Sequence, residues 1–539
     1  MLKFNTRKIM RLASITSDKP KGWTLISMPL IPLFVFFIER SNEFSLIGLV
    51  KPILVIIILS VLLTFFLKFF LAGKYNRSLL ANLLLYLLID YSSVAALFLG
   101  PSPVPHFLIL YGVLWILLAI ILVLAFRYIS SSLIKPIKVL GLVSVIFVST
   151  LGIKIGQDFM NTLTLKETDI NTDNHAIMKG ALLKKYPSII YIVLDEYTRS
   201  DMLKREFGFD NSSFIDSLKN IGFNILNQSR SNYWTTPYSL ASSMNMNYLD
   251  SMLTKDNSHS WVTLTSLINR NDLIDTIRDF GGKVYSTNAY ITRNVYFGNF
   301  DSCLQLPSHF ERLYDVGYSF WSGTAFHPLA GILSRHKTKE IATGHKRKIE
   351  DAWQKVKQNK VPPTNSFVFA HLLAPHPPFL FNGDFHIKDG NYIGSYPFFN
   401  MSSMSDSLWV KGYSAQIDYV NQKALEVIDS QLSKSIQPII IIQSDHGMRN
   451  KIYQNGDYNK FDSDYLMRFT NFSAVYFPDQ DYSMLYDSMS NVNTWRVVLN
   501  KYFGTEMEML PDRNFDIDFN EPFKFIDITD RLDSIENSL

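Results

Sequence analysis

Four short segments of this chain bring together residue types that can hold a metal ion or transfer a chemical group. Asp195-Glu196 follows the apolar run Ile189 to Leu194, and Ser444-Asp445-His446-Gly447 follows Ile439 to Gln443. Carboxylate oxygen with imidazole nitrogen suits a hard or borderline divalent cation, and a glycine after an Asp-His pair permits a tight turn that aims both side chains at one ion. An aspartate at a strand end also caps helices, so either pair alone has a structural reading. Two such pairs in one sheet read as halves of one site. The third segment is His371-Leu372-Leu373-Ala374-Pro375-His376-Pro377-Pro378-Phe379, directly after Ser366 to Ala370. Prolines cannot continue a strand, so both imidazoles are expected on a stiff loop, presenting a ligand or proton donor or capping carbonyls. The fourth is Ser231 to Ser243, with adjacent Thr235 and Thr236 before Pro237. Hydroxyls ahead of an apolar helix usually cap it. A threonine beside a metal can instead be a nucleophile, because coordination lowers the pKa of a hydroxyl that has no base of its own.

These segments need a scaffold that brings strand ends together. Strands are expected at Ser188 to Leu194, Lys283 to Ser286, Ser366 to Ala370, Pro438 to Gln443 and Ala474 to Phe477, where β-branched and aromatic residues cluster. Near-continuous apolar runs suit strands covered on both faces, and the amphipathic stretches around 211–221, 261–280, 346–358 and 413–434 can supply the helices. The expected fold is therefore α/β, with a central, mostly parallel sheet flanked by helices and ligands collecting at the carboxyl edge.

The chain has 539 residues, 47% hydrophobic and 19% charged, with a formal charge of +4 and one cysteine. It is too apolar for disorder, and a single cysteine excludes intramolecular disulfides and a thiolate zinc cluster. Through Gln157 there are 15 Lys and Arg against 4 Asp and Glu; the remainder has 37 against 44. The charge is thus +11 followed by −7. The basic part carries apolar stretches at about 23–38, 53–72, 79–99, 107–126 and 138–155, each near the roughly 20 residues that cross a bilayer. Eleven basic residues, among them Lys3, Arg7, Lys74, Arg77, Arg127 and Lys135, fall on one side of these five spans. The positive-inside rule puts that side, and the amino terminus, in the cytoplasm. A cleaved signal peptide is the alternative for the first stretch, but no small-residue cleavage pattern follows. The expected organisation is a transmembrane domain at 1–157, a polar linker at 158–185 and an outward-facing domain at 186–539. Asp90 and Lys68 are the notable charges within the spans, too few for an ion relay.

The order of membrane spans, Ile-Val-Leu-Asp, a threonine segment, His-Leu-Leu-Ala-Pro-His-Pro-Pro-Phe and Ser-Asp-His-Gly resembles the membrane-anchored sulfatase-like branch of the alkaline phosphatase superfamily. That branch includes lipoteichoic acid synthases and lipid A phosphoethanolamine transferases. The resemblance implies one divalent ion, zinc or manganese, held by Asp195, Thr236, Asp445 and His446, with Thr236 also the nucleophile. It implies that His376 contacts the transferred phosphoryl or leaving group, with His371 as a second candidate. Two positions depart from the pattern. Thr235, two residues before Pro237, also looks like the Thr-x-Pro nucleophile of related phosphodiesterases, and Glu196 stands where relatives commonly have small residues. Glu196 is either an additional ligand or a solvent-facing side chain. Classical sulfatases resemble one another in a Cys or Ser followed by x-Pro-x-Arg, whereas Cys303 is followed by Leu-Gln-Leu-Pro.

The expectation is an enzyme of the bacterial inner membrane. It would move a phospho-head group, phosphoethanolamine or phosphoglycerol, from a phospholipid through a phospho-threonine to an envelope glycan or glycolipid, with no nucleic acid partner. A membrane-anchored phosphodiesterase or sulfatase-type hydrolase, and a catalytically silent envelope scaffold, are the alternatives. Tyr290, Arg293, His327 and Arg449 are candidate pocket residues, with ordinary surface or core as the first reading of each.

Overall fold

The computed structural model describes residues 27–39, 50–71, 74–90, 120–121, 124, 143–150, 152–153, 185–253, 264, 267–288, 302–303, 344–381, 406–449, 462–518 and 521–538. The chain divides into two compact units, Met1–Lys166 with Ser308–Arg335, and Glu167–Pro307 with His336–Leu539.

In the first unit, helices α1 (Ile31–Glu39), α2 (Val50–Phe66) and α3 (Lys74–Ile89) are described. Continued by a 3₁₀ turn, α2 gives Pro52–Phe69, whose 18 residues have a mean hydropathy of 2.6. Leu54, Ile58, Leu62 and Phe65 on this helix are exposed. An all-round apolar helix that leaves its large side chains uncovered is the pattern of a lipid-facing span rather than of a buried core helix. Toward α3 the pairing is polar, Ser60 Oγ donating to Oδ1 of the fully buried Asn82 at 2.7 Å, the kind of bond that joins helices in an apolar medium. Where five spans were expected, one helix among the described residues is long and apolar enough to cross a membrane. Helix α3 is shorter, the stretch at 107–126 lies largely outside the described residues, and of 138–155 the described residues 143–150 and 152–153 are helical.

The second unit is built on a seven-stranded sheet of order β2-β7-β6-β1-β5-β3-β4. Its strands are β1 (Ile189–Leu194), β2 (Asn224–Ile225), β3 (Lys283–Asn288), β4 (Ser302–Cys303), β5 (Ser366–Leu372), β6 (Ile439–Ser444) and β7 (Ser473–Tyr476). The pairs β1/β5, β1/β6, β3/β5 and β3/β4 are parallel, and β7 runs antiparallel to both β6 and β2. A separate hairpin, β8 (Phe515–Asp518) with β9 (Glu521–Asp527), follows. This is the expected mostly parallel α/β sheet.

Alternate residues of β1 enter different cores because successive side chains leave a strand on opposite faces. Ile190, Ile192 and Leu194 pack with α4 (Ser200–Phe207), α5 (Ser212–Ile221), the helix α8 at 344–357, α9 (Asp406–Leu432), α10 (Asp462–Met467) and α12 (Thr529–Ser538). Ile189, Tyr191 and Val193 pack with α6 (Thr236–Met244), α7 (Asp272–Asp279) and α11 (Asn491–Phe503). Helices on both faces are why the central strands are uniformly apolar. The expected helix at 261–280 is described as α7 and a few residues before it, and α9 starts earlier than 413. Residues 158–184 of the expected linker lie outside the described residues.

Candidate active site and metal centre

Sheet register places the chemistry. Leu194 pairs with Leu372 on one side and with Ser444 on the other, so Asp195, Leu373 and Asp445 all step off the sheet at the same height. Hydrogen bonds fix the three tips: the Asp195 amide donates to the Leu372 carbonyl at 3.1 Å, and the His376 amide to the Asp195 carbonyl at 2.9 Å. The Glu196 amide donates to Asp445 Oδ1 at 3.2 Å. Glu196 has a φ of 62°, a left-handed conformation that a side chain enters at a cost of about 1–2 kcal/mol. Gly447 packs directly against the turn at 467–470, and a Cβ there would lie 1.9 Å from the Met467 carbonyl and 2.4 Å from that of Thr470.

Asp195, Asp445 and His446 have one ligand atom each within 4.8 Å of one another, all three buried. His446 Nδ1 is 2.8 Å from the Gly447 carbonyl. A carbonyl only accepts, so Nδ1 carries the proton and the Nε2 lone pair faces the cluster. The buried oxygens Asp195 Oδ1 and Asp445 Oδ2 have no hydrogen-bond partner among the described residues. Buried polar atoms are nearly always satisfied. Two carboxylates and an imidazole lone pair sharing one buried site therefore fit a divalent cation as the missing partner. Burial and the adjacent Asp445 push the Asp195 carboxyl up to about 7. Burial would raise Asp445 too, but the His446 and His371 rings, with hydrogen bonds from Thr236 and the Glu196 amide, hold it below its usual range.

Thr236 enters from α6. Its Oγ1 is 3.3 Å from His446 Nε2. Pro237 occupies the first turn of α6, where its missing N–H is harmless, and Thr235 stands at the N-cap in an extended conformation without a side-chain capping bond. Thr235 Oγ1 is buried without a hydrogen-bond partner among the described residues. The segment is anchored from both ends. Upstream, Tyr233 stacks on Phe515 and Trp234 Nε1 donates to Asp516 Oδ1 at 2.8 Å; downstream, Ser239 Oγ donates to the Asp445 carbonyl at 2.6 Å. Of the two adjacent threonines, Thr236 is the one whose hydroxyl reaches the cluster.

His371 is not on the loop, as the prolines suggested. Strand β5 continues to Leu372, and the buried His371 ring lies within the sheet with Nε2 3.4 Å from Asp195 Oδ2. Burial depresses its pKa to about 4, against a smaller opposing pull from Asp445. His376 is on the loop. Its Nδ1 meets the Pro377 carbonyl and its Nε2 lies 3.4 Å from Arg449 Nη2. Because guanidinium only donates, Nε2 accepts and Nδ1 holds the proton.

Glu196 neither joins the metal cluster nor faces solvent. It is 2% exposed, and Arg449 Nε donates to its Oε1 at 2.5 Å. Burial alone would raise this carboxyl, yet Arg449, with smaller contributions from His376 and His446, holds it below its usual range. Tyr290, Arg293 and His327 lie outside the described residues, and Cys303 is on the edge strand β4.

No protein-family model and no curated protein matches the chain. Solved structures similar to it include the C-terminal periplasmic domain of EptC from Escherichia coli in complex with zinc. That match has 12% identity and a TM-score of 0.39, covering 64% of this chain and 93% of the other. The chain is also similar to the integral membrane protein lipooligosaccharide phosphoethanolamine transferase A (EptA) from Neisseria meningitidis, at 12% identity and a TM-score of 0.39, over 89% of this chain and 95% of that one. Phosphonate monoester hydrolase of Agrobacterium radiobacter matches at 13% identity and a TM-score of 0.38, over 62% and 82%.

Several residues that build the site carry no local sequence signal. Gln416 on α9 donates to the carbonyls of Pro375, His376 and Pro378 at 3.2, 2.8 and 3.2 Å, and accepts from the Leu380 amide at 2.8 Å. It holds the whole proline loop. Tyr413, one helical turn earlier, donates to the Glu196 carbonyl at 2.6 Å. Asn491 at the start of α11 donates to the Ser444 and Asp445 carbonyls at 3.1 and 3.3 Å. Polar residues on the buried face of an otherwise apolar helix are the one hint the sequence offered for the first two.

Proposed function

We propose that this chain is a metal-dependent, membrane-anchored phosphotransferase. In this reading a phosphoethanolamine or phosphoglycerol group passes from a phospholipid to a hydroxyl of an envelope glycan or glycolipid. The observation that carries the proposal is the approach of the Thr236 hydroxyl to a buried Asp195, Asp445 and His446 cluster in which Asp195 Oδ1 and Asp445 Oδ2 have no hydrogen-bond partner among the described residues. Asp195, Asp445, His446 and Thr236 would hold one divalent ion, zinc or manganese, which suits oxygen and imidazole donors. When bound, it would lower the pKa of the Thr236 hydroxyl and stabilise charge on the phosphate oxygens.

Thr236 Oγ1 loses its proton and bonds to phosphorus of the donor phosphodiester. The bond from phosphorus to the diacylglycerol oxygen breaks, and that oxygen takes up a proton as it leaves. An acceptor hydroxyl oxygen then bonds phosphorus, the Thr236–phosphate bond breaks, and the acceptor's proton balances the one Thr236 recovers. His376, fixed at the rim, meets the phosphoryl group or departing oxygen. The apolar, uncovered face of α2 supports a membrane anchor, with the basic flanks setting the catalytic domain on the periplasmic side. Tethering raises the effective concentration of a donor that stays in the bilayer.

The test is transfer of labelled head group by purified full-length protein supplied with metal. Thr236→Ala abolishes it if the reading is right; retained transfer overturns it. Hydrolysis as the main product would favour the phosphodiesterase reading.

A further inference from the structure

Helix α6 carries three buried serines, and their hydroxyls are used differently. Ser242 Oγ donates to the Asn247 carbonyl at 2.6 Å and Ser243 Oγ to the Leu240 carbonyl at 3.4 Å. That is the ordinary fate of a helical serine, whose short side chain finds a carbonyl close by in the chain. For Ser239 the nearby carbonyl is that of Thr235, and only the Ser239 amide uses it, at 3.0 Å. The hydroxyl instead crosses to the Asp445 carbonyl, 206 residues along the chain, at 2.6 Å.

That carbonyl does not depend on Ser239. Asn491 Nδ2 also donates to it, at 3.3 Å, and to the Ser444 carbonyl at 3.1 Å. Asn471 Nδ2 donates to the same Ser444 carbonyl at 2.8 Å and to Asn491 Oδ1 at 2.9 Å, and Ser444 Oγ donates to the His446 carbonyl at 2.6 Å. All of these residues are buried. The turn that carries Asp445 and His446 is therefore fixed to the sheet and to α11 without help from α6. It follows that the Ser239 bond places the helix against the turn, not the turn against the helix. Thr236 stands three residues before Ser239, a spacing that makes them neighbours on one helix face, and its Oγ1 is 3.3 Å from His446 Nε2. Ser239 and Thr236 thus meet consecutive residues of one turn.

We propose that Ser239 is a positioning residue for Thr236: the bond from its hydroxyl to the Asp445 carbonyl sets where Thr236 Oγ1 stands against the Asp195, Asp445 and His446 cluster. Loss of the bond leaves the three clustered ligands in place and releases the threonine. This deepens the phosphotransferase reading and rests on it for the part that Thr236 plays.

A double-mutant cycle on zinc affinity tests the coupling without any turnover, using full-length protein stripped of metal and titrated with zinc against a chelator. Ser239→Ala is expected to weaken zinc binding about tenfold, the loss typical of a partner that orients a ligand, and Thr236→Ala at least as much. The double variant is expected to bind zinc no more weakly than Thr236→Ala, because residues that act through one another are not additive. Cobalt-loaded Ser239→Ala is expected to share the altered visible absorption of cobalt-loaded Thr236→Ala. Ser242→Ala is the control: it loses an equally short bond from the same helix, and its melting temperature falls with zinc affinity unchanged. If Ser239→Ala does not fold, Ser239→Cys keeps the volume with a weaker donor and takes its place in the cycle. Additive losses, or wild-type zinc affinity in either single variant, overturn the inference. If the losses are additive in a protein that transfers head group, the phosphotransferase reading stands without Ser239. If they are non-additive in a protein that never transfers, that reading falls and the role of Ser239 stands.

Discussion

The backbone amide of Glu196 donates to Oδ1 of Asp445 at 3.2 Å, joining the tips of two strands that lie 249 residues apart in the chain. That bond leaves Asp445 Oδ2 facing the cluster without another partner among the described residues. Replacing Asp445 with Ala removes one of the two carboxylates of the cluster. Metal content of the purified protein, measured by elemental analysis, is expected to fall to near background together with transfer. A wild-type protein that takes up no metal would favour the silent-scaffold reading.

The two adjacent threonines differ in what they reach, and this separates their variants. If Thr236 is the nucleophile, intact-mass analysis during turnover finds the phospho-head group on its tryptic peptide. Thr236→Ala then lowers transfer by roughly 10³-fold or more. Thr235→Ala, which removes a buried hydroxyl with no partner among the described residues, retains the adduct. An adduct that persists in Thr236→Ala assigns the nucleophile to Thr235.

Gly447 is replaceable only if backbone moves. A methyl group there meets two carbonyl oxygens, at 1.9 and 2.4 Å, and overpacking of this kind costs about 1–3 kcal/mol. Gly447→Ala is expected to lower the melting temperature by several degrees and to reduce metal affinity, because the displaced turn carries Asp445 and His446.

Gln416→Leu separates the loop from the metal. The substitution removes the donor shared by three loop carbonyls, and each buried group left unsatisfied costs about 1–3 kcal/mol. Transfer should fall while metal content stays at the wild-type level, since the loop carries His376 and none of the three clustered ligands. Loss of metal in this variant would show that the loop supports the cluster itself.

His345, on α8, is 6% exposed and neither ring nitrogen has a hydrogen-bond partner among the described residues. Burial, followed by smaller contributions from the nearby Lys348 and His376, depresses its pKa from 6.5 to about 3. The unfolded chain therefore takes up a proton as pH falls below 6.5 while the folded chain does not, so the stability this burial allows is lost on acidification toward pH 3. His371 acts in the same sense from 6.5 to about 4, whereas Asp195, raised to about 7, opposes it by gaining stability as pH falls toward 3.8. Denaturant unfolding of metal-free protein between pH 4 and 6.5 should show a net loss of stability with acid. His345→Phe should flatten that slope by about one proton; an unchanged slope would exclude His345 as its source.

The strands that end in Asp195 and in Asp445 were legible because parallel strands covered on both faces must be apolar throughout. Each run stops where the chain leaves the sheet, which is where polar groups can be exposed to a ligand. The expected stretch at 53–72 was legible in the same way, from length and apolarity alone, as the apolar helix Pro52–Phe69. Prolines misplaced His371: they mark where a strand cannot continue, but β5 runs two residues past Ala370 before reaching them. The role of Glu196 was beyond reach, since its partner Arg449 lies 253 residues away.

Local order in the sequence thus determined the central strands, their mostly parallel arrangement and the exit of Asp195 and Asp445 from the sheet edge. What only the tertiary structure decided is which of those side chains meet. Register sets Leu194 level with both Leu372 and Ser444, α6 delivers Thr236 rather than Thr235, and Gln416, Tyr413 and Asn491 arrive from helices far along the chain. The physical reason is that hydrophobic periodicity is a property of neighbours in sequence, whereas hydrogen-bond and charge pairing depend on distances that exist only after the chain has packed.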